Sequence, residues 1–393
     1  MIPPPVVRAT GGGNFLARGS GSIAGMAPLL LLLASVVAAP AQGGTVRADV
    51  LRNHLAYLAS DELAGRATPS AGLDAAADYI ASQFRAAGLK PVDGKYFQEA
   101  PDSRLNREGL PTVKNVIGVL AGTDPELRDT YVLITAHYDH VGIRDNAEGD
   151  KIFNGANDNG SGTVGVIAIA QALGASGFKP KRTVVFMTFF GEERGLVGSR
   201  FYGENPVFPL ERTVAMLNLE MIGRTKKYSA ASRGERTIED WTGRLGVTGY
   251  DYSDMGARLA ISCKKGGIEI VNDEAGSDPF FLRSDNRALA LKGIPAHTVS
   301  VGYIDPEYHK ANDHWETINY ENMAKVVNAL VYATMDLAND PVAPKWNEEN
   351  PKAARYVEAS RKLHGGVVRR FGGSEVRRFG GSGVRGFGAM NDE

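Results

Sequence analysis

The chain of 393 residues has one cysteine, Cys263, which rules out an internal disulfide framework. It also lacks an excess of either charge: 44 Lys and Arg face 45 Asp and Glu, for a formal net charge of −1. That balance excludes the broad basic surface that nucleic-acid binding requires. Long apolar runs are missing too. The longest, from Ala27 to Ala39, falls short of the roughly 20 residues that span a bilayer. With 43% hydrophobic and 23% charged residues, the chain has the composition of a globular protein and the size for one large domain or two modest ones.

Both ends read as separate from the body. Arg8 and Arg18 are the only charges ahead of the apolar run, and Ala39-Pro40-Ala41 follows it as a small-residue cleavage site. Residues 1–41 are therefore expected to be a signal peptide, with cleavage after Ala41, export to a periplasmic or extracellular space, and no stable membrane span afterwards. From Gly365 the chain reads GGVVRRFGGSEVRRFGGSGVRGFGAMNDE, an eight-residue period with Val368, Val376 and Val384 in register. A Gly/Arg repeat of this kind buries too little apolar area to offset the entropy of ordering it, so residues 365–393 are expected to be a disordered tail.

Between the ends, residues 42–364, strand and helix signals alternate. TVRADVLRNHLAYLASDE and GLDAAADYIASQFRAAG have helical apolar spacing, the second stopping at Gly88. NVIGVLAG, TYVLITA, RTVVFMTFF, TVAMLNL and IPAHTVSVGY read as strands, several separated by helical stretches such as SGTVGVIAIAQALGAS, and NYENMAKVVNALVYATMDLA reads as the last helix. Strands apolar on both faces with helices between them indicate an α/β fold: a single mixed, mostly parallel sheet covered on both sides. The irregular segment 225–285 is the candidate lid.

The ends of these strands carry the chemistry. TYVLITA leads into AHYDHVG with His137 and Asp139; RTVVFMTFF leads to Glu192 and Glu193; TVAMLNL to Glu220; IPAHTVSVGY to His309; and Asp158 sits in the glycine-rich loop NGANDNGSG before a helix. In open α/β sheets ligands bind beyond the carboxyl ends of the strands, so several strands aim acids and imidazoles at one place. Singly, each residue has an ordinary explanation, Asp158 as a helix cap or Glu192 and Glu193 as solvated turn residues. Together, two histidines with three or four carboxylates and no cysteine suit a pair of divalent ions, with zinc foremost.

In their order, AHYDHVG, NGANDNGSG, FFGEERGLVGS, LNLEMIG, RSDNRALALKGIP and YHKANDHWETI resemble metallopeptidase family twenty-eight, co-catalytic di-zinc aminopeptidases whose relatives include glutamate carboxypeptidases and glutaminyl cyclases. YLASDELAGRATPS resembles the family's N-terminal approach to these motifs. The resemblance implies a zinc-exopeptidase-like fold in which His137 and Glu220 hold one Zn²⁺, Glu193 and His309 hold the other, and Asp158 bridges them. It makes Glu192 the general base, Asp139 the acid that orients His137, Tyr308 a donor to the developing oxyanion and Asp285 a supporting acid beyond the ligands. His140 receives no metal role, and the Asp158–Asn159 peptide is expected to be cis. One departure stands out: aminopeptidase members usually place Asp where this chain has Glu220.

The implied chemistry is peptide hydrolysis. Two cations sharing a water lower its pKa and polarise the scissile carbonyl. Glu192 would take the water proton and return it to the departing amine, and the carboxylates would attract the α-ammonium of a peptide with a free N-terminus. An aminopeptidase is the leading expectation. A carboxypeptidase or dipeptidase would need a cationic receptor for the terminal carboxylate, for which Arg283, Arg287 and Lys292 are candidates. A glutaminyl cyclase-like transferase would use one zinc, and a non-catalytic receptor-like ectodomain would have lost ligands that this chain keeps. Side-chain preference and oligomeric state are not encoded in any motif.

Overall fold

The computed structural model describes residues 45–228 and 237–368. The expected signal peptide and the arginine repeats of the expected tail lie outside the described residues. Eight strands form the central sheet: β1 (Phe97–Glu99), β2 (Lys114–Leu120), β3 (Tyr131–His137), β4 (Thr183–Phe189), β5 (Thr213–Leu219), β6 (Arg244–Val247), β7 (Glu269–Val271) and β8 (Ala296–Ser300). Their order is β1-β2-β4-β3-β5-β8-β6-β7. β3 pairs in parallel with both β4 and β5, β5 with β8, and β6 with β7, while β1–β2, β2–β4 and β6–β8 are antiparallel.

The strands are apolar on both faces because both faces are covered. Along β3, Val132, Ile134 and Ala136 enter one core and Leu133 the other, and β4 splits its Val184 and Phe186 from Val185, Met187 and Phe189 in the same way. This is the period-two alternation of a strand buried on both sides. The first core is closed by helices α1 (Ala48–Leu58), α2 (Ala71–Ala86), α3 (Gly162–Ala175), α5 (Met255–Lys264) and α6 (Tyr320–Asn339), with α4 (Val197–Glu204) on the opposite face through Tyr202. α3 carries no polar stripe; its Val164, Val166, Ile167, Ile169 and Leu173 are all buried, as expected of a helix held between a sheet and other helices. Because α3 follows β3 on one face and α4 follows β4 on the other, the crossovers diverge at the carboxyl end of β3 and open a crevice there.

Three expectations are corrected. The segment 225–285 is not a lid as a whole: β6, β7 and α5 belong to the body, with Leu245, Val247, Met255, Leu259, Cys263 and Ile268 in the first core. Their signal was weak because β6 and β7 have only four and three residues. A further helix, α7 (Ala354–Val368), follows α6, and Tyr356 and Val357 on it are buried in the second core with Trp346. That helix also runs past Gly365, to Val368. No helix among the described residues is long and apolar enough to cross a membrane.

His297 on β8 anchors the second core. Its ring lies among Phe281 and Trp346, with Nδ1 2.8 Å from the Thr248 carbonyl oxygen and Nε2 2.7 Å from the Ser253 hydroxyl. Burial holds its imidazole down to about 4 from an ordinary 6.5, against the pull of the Thr248 carbonyl. The folded state therefore keeps His297 neutral where the unfolded chain would protonate it. Its contribution is complete above pH 6.5 and is lost as pH falls toward 4. Between pH 7 and pH 5 the wild type should lose about 2 kcal/mol more stability than His297→Gln, read from urea midpoints at the two pH values. Equal losses would show that His297 is not the group that titrates.

Candidate metal centre

Each functional side chain leaves the sheet at the crevice. His137 is the last residue of β3, Glu192 and Glu193 follow β4, and Glu220 follows β5. His309 comes nine residues after the end of β8, with φ 55°. Asp158 lies in the irregular turn Ala156–Ser161 that precedes α3, and the Asp158–Asn159 peptide is cis as expected.

These residues form two donor groups that share Asp158: His137, Asp158 and Glu220, and His140, Asp158, Glu193 and His309, with the donor atoms of each group within 4.8 Å of one another. His137 Nε2 is 3.1 Å from Glu220 Oε1 and 3.5 Å from Asp158 Oδ1. His309 Nε2 is 2.9 Å from Glu193 Oε1 and 3.2 Å from Asp158 Oδ2. Glu192 Oε2 lies 3.9 Å from His137 Nε2, at the margin of the first group. The residue that departs from expectation is His140. Given no metal role by the resemblance, it is a buried member of the second group, with Nδ1 3.0 Å from Glu193 Oε1.

The electrostatics are those of a receptor for cations. Burial alone would depress the His137 imidazole, yet Glu220 and Glu192 hold it well above its ordinary value. His309 is likewise raised to about 9, its burial outweighed by Asp158 and Glu193. Burial and the Glu193 charge push Asp158 up to about 6. Burial first, then Glu220, Asp285 and Glu193, push Glu192 well above the usual carboxylate range, despite the opposing His137. Asp158 Oδ2 and both ring nitrogens of His140 are buried without a hydrogen-bond partner, and such atoms are costly unless something else bonds them. A nitrogen and oxygen donor set with orphaned, inward-facing atoms fits divalent zinc or a similar ion.

The supporting residues are placed as follows. Asp139 lies with Oδ1 3.5 Å from His137 Nδ1 and accepts from the Glu192 amide (3.1 Å) and the Thr68 hydroxyl (3.1 Å). The carbonyl oxygen of Asp139 is nearer to His137 Nδ1, at 3.2 Å. Tyr308 is 42% exposed at the rim, stacked on the His309 ring with centroids 3.9 Å apart. Asp285 is fully buried, and no hydrogen bond joins it to a candidate ligand; burial pushes its carboxyl up to about 7, against His137 and the Ser199 hydroxyl. The extra methylene of Glu220 is accommodated by the Ser284 hydroxyl, which donates to Glu220 Oε2 at 2.7 Å while Oε1 faces His137.

A set of residues not singled out from the sequence holds this geometry. The Asp313 carboxylate accepts from the backbone amides of Asn157 (2.8 Å) and Asp158 (3.1 Å) and pairs with Arg224 at 2.7 Å. Asn157 Oδ1 accepts from the amides of Gly223 and Arg224, and Asn159 Oδ1 from Gly162 and Met221, so the loop of Asp158 is tied to the chain that follows Glu220. The Thr163 hydroxyl donates to the His137 carbonyl at 2.6 Å. Arg66 is 1% exposed and donates to the carbonyls of Tyr138 (2.8 Å), Asn154 (2.7 Å), Gly155 (2.9 Å) and Leu58. A lone arginine in LAGRATPS gave no hint of this, because its partners are backbone atoms far away in sequence.

The profile of peptidase family M28 matches residues 115–334. Among curated proteins, the chain is 26% identical over 341 residues to leupeptin-inactivating enzyme 1 of Streptomyces exfoliatus, covering 84% of this chain and 71% of that protein. It is 24% identical over 269 residues to aminopeptidase YwaD of Bacillus subtilis, covering 68% of this chain but only 54% of the relative. Among solved structures, a zinc aminopeptidase from Bacillus subtilis superposes with a TM-score of 0.55 at 17% identity, over 75% of this chain and 96% of that one. At that identity the likeness is one of fold.

Arg66 yields a prediction for the scaffold. Arg66→Met keeps the bulk of the stem but leaves several buried carbonyls without a donor, at about 1–3 kcal/mol each. Thermal unfolding should show a fall of many degrees, with metal content lowered alongside. A melting temperature within a degree of wild type would mean that Arg66 does not organise the loops.

Proposed function

Because the chain belongs to peptidase family M28, we propose that it is a zinc-dependent aminopeptidase that hydrolyses the first peptide bond of substrates with a free N-terminus. The observation that carries this reading is the pair of donor groups joined at Asp158, with Glu192 beside them and outside both. His137, Glu220 and Asp158 would hold one ion, and Glu193, His309 and Asp158 the second. When bound, divalent ions supply Lewis-acid polarisation of the scissile carbonyl and lower the pKa of water.

The chain's own groups supply the rest. Glu192 would remove the proton of the attacking water and hand it to the departing amine; burial and its acidic neighbours raise its proton affinity, which suits that shuttle. Asp139 would steady His137 from the Nδ1 side and, by accepting the Glu192 amide, fix where the base begins. Tyr308, at the rim, would donate to the developing oxyanion. The surplus of buried carboxylates favours an α-ammonium group beside the scissile bond. Residues 1–41 would serve as the export leader of the body, which we place at 42–364 with an extension through α7.

The two adjacent glutamates separate the roles. Glu192→Gln should keep both metals and bind substrate while kcat falls by about 10²–10⁴-fold, the range for loss of a general base. Glu193→Gln should lose one ion and recover partly with excess zinc. Metal content and kcat measured together decide the matter: the reverse pattern would exchange base and ligand, and two active variants would sink the di-metal hydrolase reading.

A second reading, a dipeptidase, has one specific support. A cavity of about 440 Å³ beside the centre is lined by Thr68, Leu105, Arg104, Arg107 and Arg194. The Thr68 hydroxyl contacts Asp139, and Arg194 follows Glu193 directly. Arg104 donates to the Arg194 carbonyl at 3.2 Å, and none of the three arginines forms an ion pair among the described residues. Arg283, by contrast, is stacked on Phe280. A carboxylate on the leaving side of a short substrate would find its receptor in this cavity. Arg194→Ala should then raise KM about tenfold for a dipeptide and leave the C-terminally amidated dipeptide unchanged. Equal effects on both substrates would remove the carboxylate receptor and leave the plain aminopeptidase.

A further inference from the structure

We propose that His140 is itself a metal ligand, through Nδ1, at the Asp158–Glu193–His309 position, which then offers four protein donors against three at the His137–Glu220 position. The inference rests on the di-metal reading above and adds a ligand to it.

The first argument is the state of the ring. His140 is 1% exposed, and neither nitrogen has a hydrogen-bond partner. Glu193 Oε1 approaches Nδ1 to 3.0 Å without hydrogen-bond alignment, and Asp158 Oδ2 stands 3.7 Å away, 3.2 Å from His309 Nε2. A buried imidazole left in this condition carries the cost of unmade hydrogen bonds, and a ligand on Nδ1 removes the one at that nitrogen. A cation lying between the three groups bonds the nitrogen and both carboxylates at once.

The second argument is shape. Four donor separations are defined at this position: His140 Nδ1 to Glu193 Oε1 at 3.0 Å and to Asp158 Oδ2 at 3.7 Å, and His309 Nε2 to Glu193 Oε1 at 2.9 Å and to Asp158 Oδ2 at 3.2 Å. The edge of a tetrahedron with metal–ligand bonds of about 2.0 Å is about 3.3 Å, and the four separations bracket it. The other group offers three donors, the count of zinc sites that keep a vertex for water or substrate, and it is the group that Glu192 borders.

The third argument is that the fold fixes the ring in place. Gly155 has φ +60°, and a Cβ there would lie 2.3 Å from His140 Cγ, so the imidazole rests directly on glycine backbone. On its other side the His309 ring meets it edge-on, with centroids 5.5 Å apart and planes at 74°. The His140 amide donates to the Arg66 carbonyl at 3.2 Å, which ties the residue to the same buried arginine that gathers the loops. The consequence is an unequal pair of positions, with four protein donors around Glu193 and His309 and three beside Glu192.

The test is long-range proton–nitrogen NMR of the full chain with ¹⁵N-labelled histidine, metal-free and zinc-loaded, with His140 assigned by its loss in His140→Gln. The expected result is a zinc-shifted Nδ1 for His140 beside zinc-shifted Nε2 signals for His137 and His309. Zinc titration of His140→Gln against a chelator should show one ion weakened at least about 100-fold, with the other retained. A proton on His140 Nδ1 in the zinc-loaded protein, or wild-type affinity for both ions in His140→Gln, overturns the inference and leaves the di-metal reading standing. If zinc shifts none of the three histidines, that reading falls as well.

Discussion

Everything in the crevice depends on the mutual repulsion of carboxylates that the fold has taken out of water. Asp158, Glu192, Glu193 and Glu220 converge within a few ångströms of His137, His140 and His309. Like charges at such spacing in a low-dielectric site are unfavourable unless cations or protons intervene. In the absence of ions the imidazoles take that part: the acids drag His137 and His309 upward, and Asp158, the most enclosed acid of the two donor groups, is driven toward neutrality at about 6. Divalent ions would displace those protons, which is why binding at such a site is coupled to pH. The cluster is thus an unstable arrangement held in readiness, and the rest of the structure must hold it.

The holding is done by backbone hydrogen bonds made to side chains from distant parts of the chain. Asp313 grips the amides of Asn157 and Asp158, and the asparagines on either side of Asp158 reach to Gly223 and Met221 just beyond Glu220. Arg66 binds carbonyls from α1, from the loop after β3 and from the loop before Asp158. Its charge also lies close enough to Asp313, Asp139, Asp158 and Glu193 for them to counter the effect of its burial. Asp158 is the residue shared by both donor groups, and the hydrogen bonds from its loop amides to Asp313 fix where its side chain leaves the backbone.

What could be read in the sequence and what could not divides along physical lines. Strands β2 to β5 and β8, and helices α2, α3 and α6, were legible because their apolar periodicity is strong and their neighbours are all buried. β6 and β7 are hard to read because strands of three or four residues carry no periodic signal, and α7 because few of its residues, Tyr356 and Val357 among them, turn inward. In the site, His137, Asp158, Glu193, Glu220 and His309 were legible as residues with chemistry at strand ends. His140 is not legible in this way, because the resemblance gives a role only to the first histidine of AHYDHVG. Its ring lies against Gly155, where a Cβ would stand 2.3 Å from His140 Cγ, a contact that no motif around His140 announces.

The glutamate at position 220 shows how the scaffold absorbs a change in a reactive group. A longer side chain at the end of β5 could have carried its carboxylate past His137. Instead the Ser284 hydroxyl takes Oε2, and the Asn218 amide donates to that same hydroxyl oxygen at 2.9 Å, so Oε1 is turned back to 3.1 Å from His137 Nε2. Asn218 is also bonded to Thr298 on β8 and by Thr135 on β3. The orientation of one carboxylate oxygen is therefore set by a polar chain that crosses three adjacent strands beneath the crevice. Because that chain is fully buried, altering any member leaves the next without a partner. The glutamate is not a loosened version of a shorter acid. It is one end of a network that the sheet itself holds rigid.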